Sequence, residues 1–277
     1  MEYLLLVPLG FVIGAFGTLI GAGGGFILMP ILLLAYPREE PARLTAISLA
    51  VVFFNAASGT WSYARMKRVD FQSGLWFLVS GVPGAIVGAY LINYVPRAAF
   101  DLCFGLLLLA GGIFIWRQSG RQGASPSRLK PTRARNLFDA AGGQYQFSYN
   151  LKAGMGLSFL VGLASSILGI GGGIIHVPIM VNLLNFPVHL ATATSHFILS
   201  ITALAGCIVH IFDGSLRRQS AGQLATLAAG AVLGAWAGAY LSSRIQGRWI
   251  MRGLALALSL VGIRILVLAV SSAHQAG

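Results

Sequence analysis

The chain has 277 residues, 56% of them apolar and 9% charged, with a formal net charge of +12 and a mean hydropathy of +0.79. A soluble domain carries about 25% charged residues, and the 26 charges present here cannot cover a water-facing globule of this length. Disorder, collagen and a soluble enzyme are excluded, and the basic residues cluster at the ends of apolar runs, which orients a bilayer protein and does not indicate nucleic acid.

Apolar runs of the ~20 residues needed to span a bilayer fall at 3–36, 42–64, 71–93, 98–116, 152–186, 190–212, 219–242 and 250–272. The first and fifth are too long for one crossing, and a glycine cluster interrupts each near its middle. Residues 1–116 form a first transmembrane repeat, 117–151 a basic linker, and 152–277 a second repeat. The linker carries Arg117, Arg121, Arg128, Lys130, Arg133 and Arg135 against Asp139, so it is expected in the cytoplasm. Its alternating Gln144–Tyr149 stretch is too short to read as a strand. Glu2 stands where a secretory signal would be basic, so no signal peptide is expected. The two cysteines, Cys103 and Cys207, form no metal-ligand spacing.

The halves match each other. Gly21–Ile31 agrees with Gly169–Ile179 at seven of eleven positions, and Gly84–Leu91 with Gly234–Leu241 at six of eight. Thr45-Ala-Ile-Ser48 answers Thr192-Ala-Thr-Ser195. The expected fold is all-α and polytopic, with two homologous halves as inverted repeats and 8–10 membrane segments, its helices broken at the G-x-G-G-G motifs. Arg65, Lys67 and Arg68 agree with a cytoplasmic linker, and Arg244, Arg248 and Arg252 outweigh Arg217 and Arg218 to put the C-terminus outside. A parallel eight-span arrangement is the second choice.

Three consecutive glycines break a helix, since each costs roughly 1 kcal/mol against alanine. Irregular backbone at membrane depth needs protein or a wet cavity around it. After each break a half-helix begins at Phe26 or Ile174, with free N–H groups and the positive dipole end, which attracts anions. Gly23, Gly24, Gly25 and Phe26, with Gly171, Gly172, Gly173 and Ile174, are therefore expected to form a paired cradle near the midplane. Close packing through small residues is the competing explanation.

The paired G-x-G-G-G-x-x-x-x-P motifs in duplicated halves resemble those of the sulfite exporter TauE/SafE family of prokaryotic inner-membrane permeases. The resemblance covers nearly everything except the linker. It implies a multi-pass inner-membrane protein that moves small sulfur-containing anions such as sulfite, sulfonates or sulfoacetate. This sequence departs from its own symmetry at His176 and His196, where the first half has Leu28 and Leu49.

Polar residues at membrane depth complete the candidate substrate-binding set. Ser48 and Asn55 are two turns apart on one face, and Ser195 and Thr202 are their counterparts. Hydroxyls and amides can donate to oxyanion oxygens without the cost of a buried charge; Ser48, Asn55 and Ser195 enter the set, while Thr202 is assigned to interhelical bonding. His176 stands where the second half-helix begins and could bind an anion when protonated or pass a proton; His196 follows Ser195. Arg264, deep in the last run, costs about 2.5–3.5 kcal/mol on insertion scales and is expected to hold an anion or to snorkel. No Walker, HExxH or G-x-S-x-G motif occurs. The reading is a secondary transporter of a small anion, with a coupling proton or sodium ion, lipid as its other partner, no nucleic acid, and no cofactor or metal. An intramembrane enzyme and a helix-packing scaffold are the alternatives.

Overall fold

The computed structural model describes residues 6–118, 129–216, 221–242, 255–256 and 259–267. The elements in chain order are α1 (Leu6–Ile20), α2 (Gly25–Ala35), α3 (Pro41–Arg65), α4 (Phe71–Leu91), a 3₁₀ turn (Ile92–Tyr94) and α5 (Arg97–Gln118). A hairpin of β1 (Arg133–Phe138) and β2 (Gln144–Tyr149) follows, then α6 (Leu151–Leu168), α7 (Gly173–Asn182), α8 (Val188–Phe212) and α9 (Ala221–Leu241). Residues 255–256 and 259–267 are helical. Among the described residues five helices are long and apolar enough to cross a membrane, so the chain is a polytopic, mostly helical membrane protein.

Glycine decides both the breaks and the packing. Gly21, Gly23 and Gly24 end α1 and start α2 with positive φ, as Gly169, Gly171 and Gly172 do between α6 and α7. That conformation costs an L-residue roughly 1–2 kcal/mol. The chain then doubles back. A Cβ on Gly24 would lie 2.8 Å from Ile13 Cγ2, and one on Gly172 would lie 3.0 Å from Val161 Cγ1. Other glycines let helix backbones touch. On α1 and α9, a Cβ on Gly10 would sit 2.3 Å from the Leu227 oxygen, and one on Gly234 would sit 2.1 Å from the Phe11 oxygen. On α4 and α6, Gly84 meets Phe159 and Gly162 meets Gly81 in the same way, at 2.2 and 2.3 Å. With no side chains between them, such pairs approach closely enough for extensive van der Waals contact, the main attraction between helices in lipid.

α3 and α8 pass against each other and against these pairs, and much of the buried polar surface lies along them. The linker stretch expected to lack a strand forms an antiparallel hairpin, with Arg133 opposite Tyr149 and Phe138 opposite Gln144. Tertiary contact stabilises it. Phe147 and Tyr149 pack with Phe186 at ring-centroid distances of 4.4 and 5.1 Å, and Tyr149 lies 5.7 Å from Phe77. Arg135 grips the fully buried Asp70 through Nη2 to Oδ1 at 2.8 Å and Nε to Oδ2 at 3.1 Å. Asp70 in turn caps α4 by accepting from the Ser73 amide at 3.2 Å. An isolated two-stranded hairpin is marginal in water; this one is bolted to the α3–α4 connection.

Candidate functional site

The two glycine breaks lie back to back. A Cβ on Gly173 would stand 2.3 Å from the Gly21 oxygen and 2.6 Å from the Ala22 Cα, and one on Gly25 would stand 2.7 Å from the Ile170 carbonyl. Each break is also held by a hydroxyl from the long helix of the other half. Ser48 donates to the Gly169 oxygen at 2.5 Å, and Ser195 donates to the Gly21 oxygen at 3.4 Å. Both serines are fully buried. These two hydroxyl protons go to backbone carbonyls that a helix end would otherwise leave unpaired, so the serines position the breaks.

The free donors of the half-helix ends follow from the backbone bonds. At α2, Ile27 and Leu28 both donate to the Gly24 oxygen, leaving the amides of Gly25 and Phe26. At α7, Gly173 donates to Gly171, and Ile175 and His176 donate to Gly172, leaving the amide of Ile174. Pro30 and Pro178 lie inside these short helices. Phe26 itself is fully buried with its ring in the core.

A small cavity with room for about one water opens at the α7 end. It is lined by Ser158, Ser165, Gly171 to Gly173, His176, Ser195 and Thr202, with Val161, Gly162, Ile198 and Leu199 as its apolar wall. His176 Nε2 lies 3.1 Å from Ser158 Oγ, and its ring packs 6.1 Å from Phe77. Thr202, assigned above to interhelical bonding, instead lines the cavity, its hydroxyl donating to Ile198 and Leu199 of its own helix at 3.0 and 3.3 Å. Among the described residues no carboxylate or basic side chain other than His176 lines the space. Ser158 and Ser165 were missed in the sequence. They lie seven residues apart, two turns, just ahead of the second glycine cluster, and the spacing that singled out Ser48 and Asn55 would have found them.

The remaining candidates divide. Asn55 and His196 are fully buried and absent from the cavity lining; Asn55 Oδ1 accepts from Thr18 Oγ1 at 2.9 Å, and His196 lies against Gly59 and Tyr63. Arg264 is exposed on the helical stretch 259–267, which packs on α5 through Gly262 and Gly105. The structure does not bring Arg264 to the other candidates. Its neighbour Ile265 occupies the buried face instead, because successive helical residues point about 100° apart. Among the described residues no cluster of metal-ligating side chains occurs.

A sequence model described as sulfite exporter TauE/SafE matches residues 6–265. The chain belongs to the TauE/SafE family. Among its relatives, the "Probable membrane transporter protein YunE" of Bacillus subtilis is 30% identical over 273 residues, covering 96% of this chain and 98% of the relative. The "Probable membrane transporter protein MJ0441" of Methanocaldococcus jannaschii is 27% identical over 221 residues, 76% of this chain and 74% of the relative. A "Probable membrane transporter protein" of Haemophilus influenzae is 24% identical over 251 residues, 88% and 86%. No solved structure matches. This TauE/SafE protein is a membrane transporter for a small solute, not an enzyme.

Proposed function

We propose that this TauE/SafE protein carries a small sulfur-containing oxyanion, of the sulfite or sulfonate class, across the inner membrane by alternating access between two inverted repeats. The observation that carries the reading is the composition of the α7 cavity. It offers the hydroxyls of Ser158 and Ser165, one imidazole and a half-helix N-terminus, with no carboxylate among the described residues to repel an anion. An oxyanion with several acceptor oxygens suits such a set. His176 and Ser158 form its polar edge, and Gly171 to Gly173 bring the start of α7 to it. Support for the repeats comes from the reciprocal serines, the matched positive-φ glycines and the doubling back of both broken runs. The cavity is small here, so loading requires the walls to part, as alternating access demands.

A cytoplasmic linker 117–151 and an outside C-terminus belong to this reading. The hairpin then faces the cytoplasm, and reporters fused after Arg128 and at the C-terminus read opposite sides. The deciding experiment is counterflow in proteoliposomes with sulfite, thiosulfate, sulfate and short alkyl sulfonates. Saturable exchange of at least one sulfur oxyanion is expected. His176→Gln together with Ser158→Ala should weaken its half-saturating concentration about tenfold, equivalent to ~1.4 kcal/mol. Absence of any anion exchange by correctly inserted wild-type protein would overturn the reading.

A further inference from the structure

A second group of buried polar atoms lies beside α2. Thr18 Oγ1 donates to Asn55 Oδ1, which fixes the amide and turns Nδ2 toward the glycine break: a Cβ on Gly24 would lie 3.3 Å from it. Asn55 is fully buried, and its Nδ2 has no partner. One turn further along α3, Gly59 makes room for the imidazole of His196. A Cβ at Gly59 would meet His196 Cδ2 at 2.5 Å and Nε2 at 3.1 Å, and Thr18 Cγ2 at 3.2 Å. Thr18 therefore joins the asparagine and the histidine in one pocket.

The imidazole has a defined tautomer. Nδ1 stands 3.1 Å from the Thr192 oxygen, and a carbonyl can only accept, so Nδ1 carries the proton. Nε2 is left as a lone pair, fully buried and without a donor. From α3, Tyr63 faces the ring edge-on at 5.5 Å, with its own Oη donating to the Thr18 oxygen at 2.9 Å. From α1 the facing group is Thr18, which is uncharged; Ala239 of α9 shares the cluster around Tyr63. His210 lies fourteen residues on in α8, near Asp213. Among the described residues no charged side chain acts on His196.

The fold does not need this base. At the matching place in the other half, Leu49 packs 3.0 Å from the Cβ position of Gly206, beside Ser166. Leucine there leaves no unmade hydrogen bond, whereas histidine leaves one in a dry site. One free donor, Asn55 Nδ2, thus stands at the α2 end, and one free acceptor, His196 Nε2, stands one turn further along α3 at Gly59.

We propose that His196 Nε2 is the proton site that couples this transporter, one proton moving with each anion. This rests on the transport reading above. When the pocket opens to water, the Nε2 lone pair takes a proton and forms an N–H bond. The imidazolium that results stands in the pocket it shares with Thr18, and its charge offsets that of a singly charged oxyanion held in the α7 cavity, so the pair crosses with no net charge buried. On the other side the anion leaves, the Nε2–H bond breaks, its proton goes to water, and the lone pair is restored.

The test uses the full chain in proteoliposomes loaded with a pH-sensitive dye, with sulfite supplied outside. Wild type should acidify the lumen in step with labelled sulfite uptake, and an imposed inward proton gradient should raise uptake several-fold. In His196→Gln the proton signal per sulfite moved should fall at least tenfold, and the half-saturating concentration should lose its dependence on pH. Wild-type sulfite uptake with no accompanying proton overturns the proposal while leaving the transport reading intact. No uptake of any sulfur oxyanion by the wild type defeats the transport reading itself, and this proposal with it. If His196→Gln does not insert, ¹⁵N-histidine spectra of the wild type decide. They must show an Nδ1–H ring whose Nε2 signal moves to the protonated position on acidification, and a ring that stays neutral across the active pH range overturns the proposal.

Discussion

Alanine placed at Gly173 tests the back-to-back breaks most directly. Its Cβ would fall 2.3 Å from the Gly21 oxygen and 2.6 Å from the Ala22 Cα, and both obstacles are backbone. No rotamer relieves them, so the two loops must separate by about 1 Å to restore ordinary contact distances of 3.5 Å or more. Overpacking of this kind costs about 1–3 kcal/mol. That displacement also shifts Gly173 in the wall of the α7 cavity, where a 1 Å misplacement is enough to impair a positioned site. Gly156→Ala is the control. It lies on exposed α6 surface with nothing within 4 Å of its Cβ position, and alanine inside a helix is favoured over glycine by roughly 0.5–1 kcal/mol. Thermal unfolding in detergent should show Gly173→Ala several degrees below wild type and Gly156→Ala at or above it. Counterflow should be at least tenfold slower in Gly173→Ala alone. Wild-type melting and flux in Gly173→Ala would refute the contact between the breaks.

Further expectations follow from the same geometry. Gly172→Leu should abolish transport while leaving membrane levels normal, because position 172 lines the cavity at φ +71°; retained flux would count against the cavity as the anion site. Arg264→Gln should leave the half-saturating concentration within twofold of wild type, since the guanidinium is exposed on the α5-packed stretch, and a tenfold rise in a flux titration would show that it reaches the anion. Arg135→Ala should release the hairpin by stranding buried Asp70, a loss of about 3–5 kcal/mol for a broken buried pair, read as faster proteolysis within 129–149; Asp70→Asn with Arg135→Ala should recover part of it. Hairpin protection should also depend on acid. Hydrogen bonds from the Gly143 and Ala141 amides and the Tyr145 hydroxyl, with Arg68 nearby, hold the Asp139 carboxyl below its usual 3.8. The contribution is fully present above that value and is lost as pH falls through the lowered folded-state pKa. The protection of amides 141–145, as exchange rate relative to the unstructured rate at the same pH, should therefore fall only below about pH 4, and a loss of protection near neutrality would contradict the assignment.

Local chemistry carried much of this protein's outline. Hydropathy and the shortage of charge required a polytopic membrane protein, since too few polar side chains exist to face water. Three adjacent glycines required helix breaks, and the breaks appear at Gly21–Gly24 and Gly169–Gly172 with φ values that disfavour other residues. Membership of the TauE/SafE family was legible in the same motifs. Tertiary structure decided what those features touch. Ser48 and Asn55 share a helix face in the sequence, yet the serine bonds to a carbonyl 121 residues away while the amide turns to Thr18. Arg264 read as the costliest charge, yet a one-residue turn of the helix puts Ile265 inward and the guanidinium outward. The hairpin was hidden because its stability resides in Asp70, Phe77 and Phe186, residues distant in the chain. A sequence shows which groups will need partners; only the packed chain, by fixing distances between remote segments, shows which partner each group receives and which, like Asn55 Nδ2 and His196 Nε2, receive none.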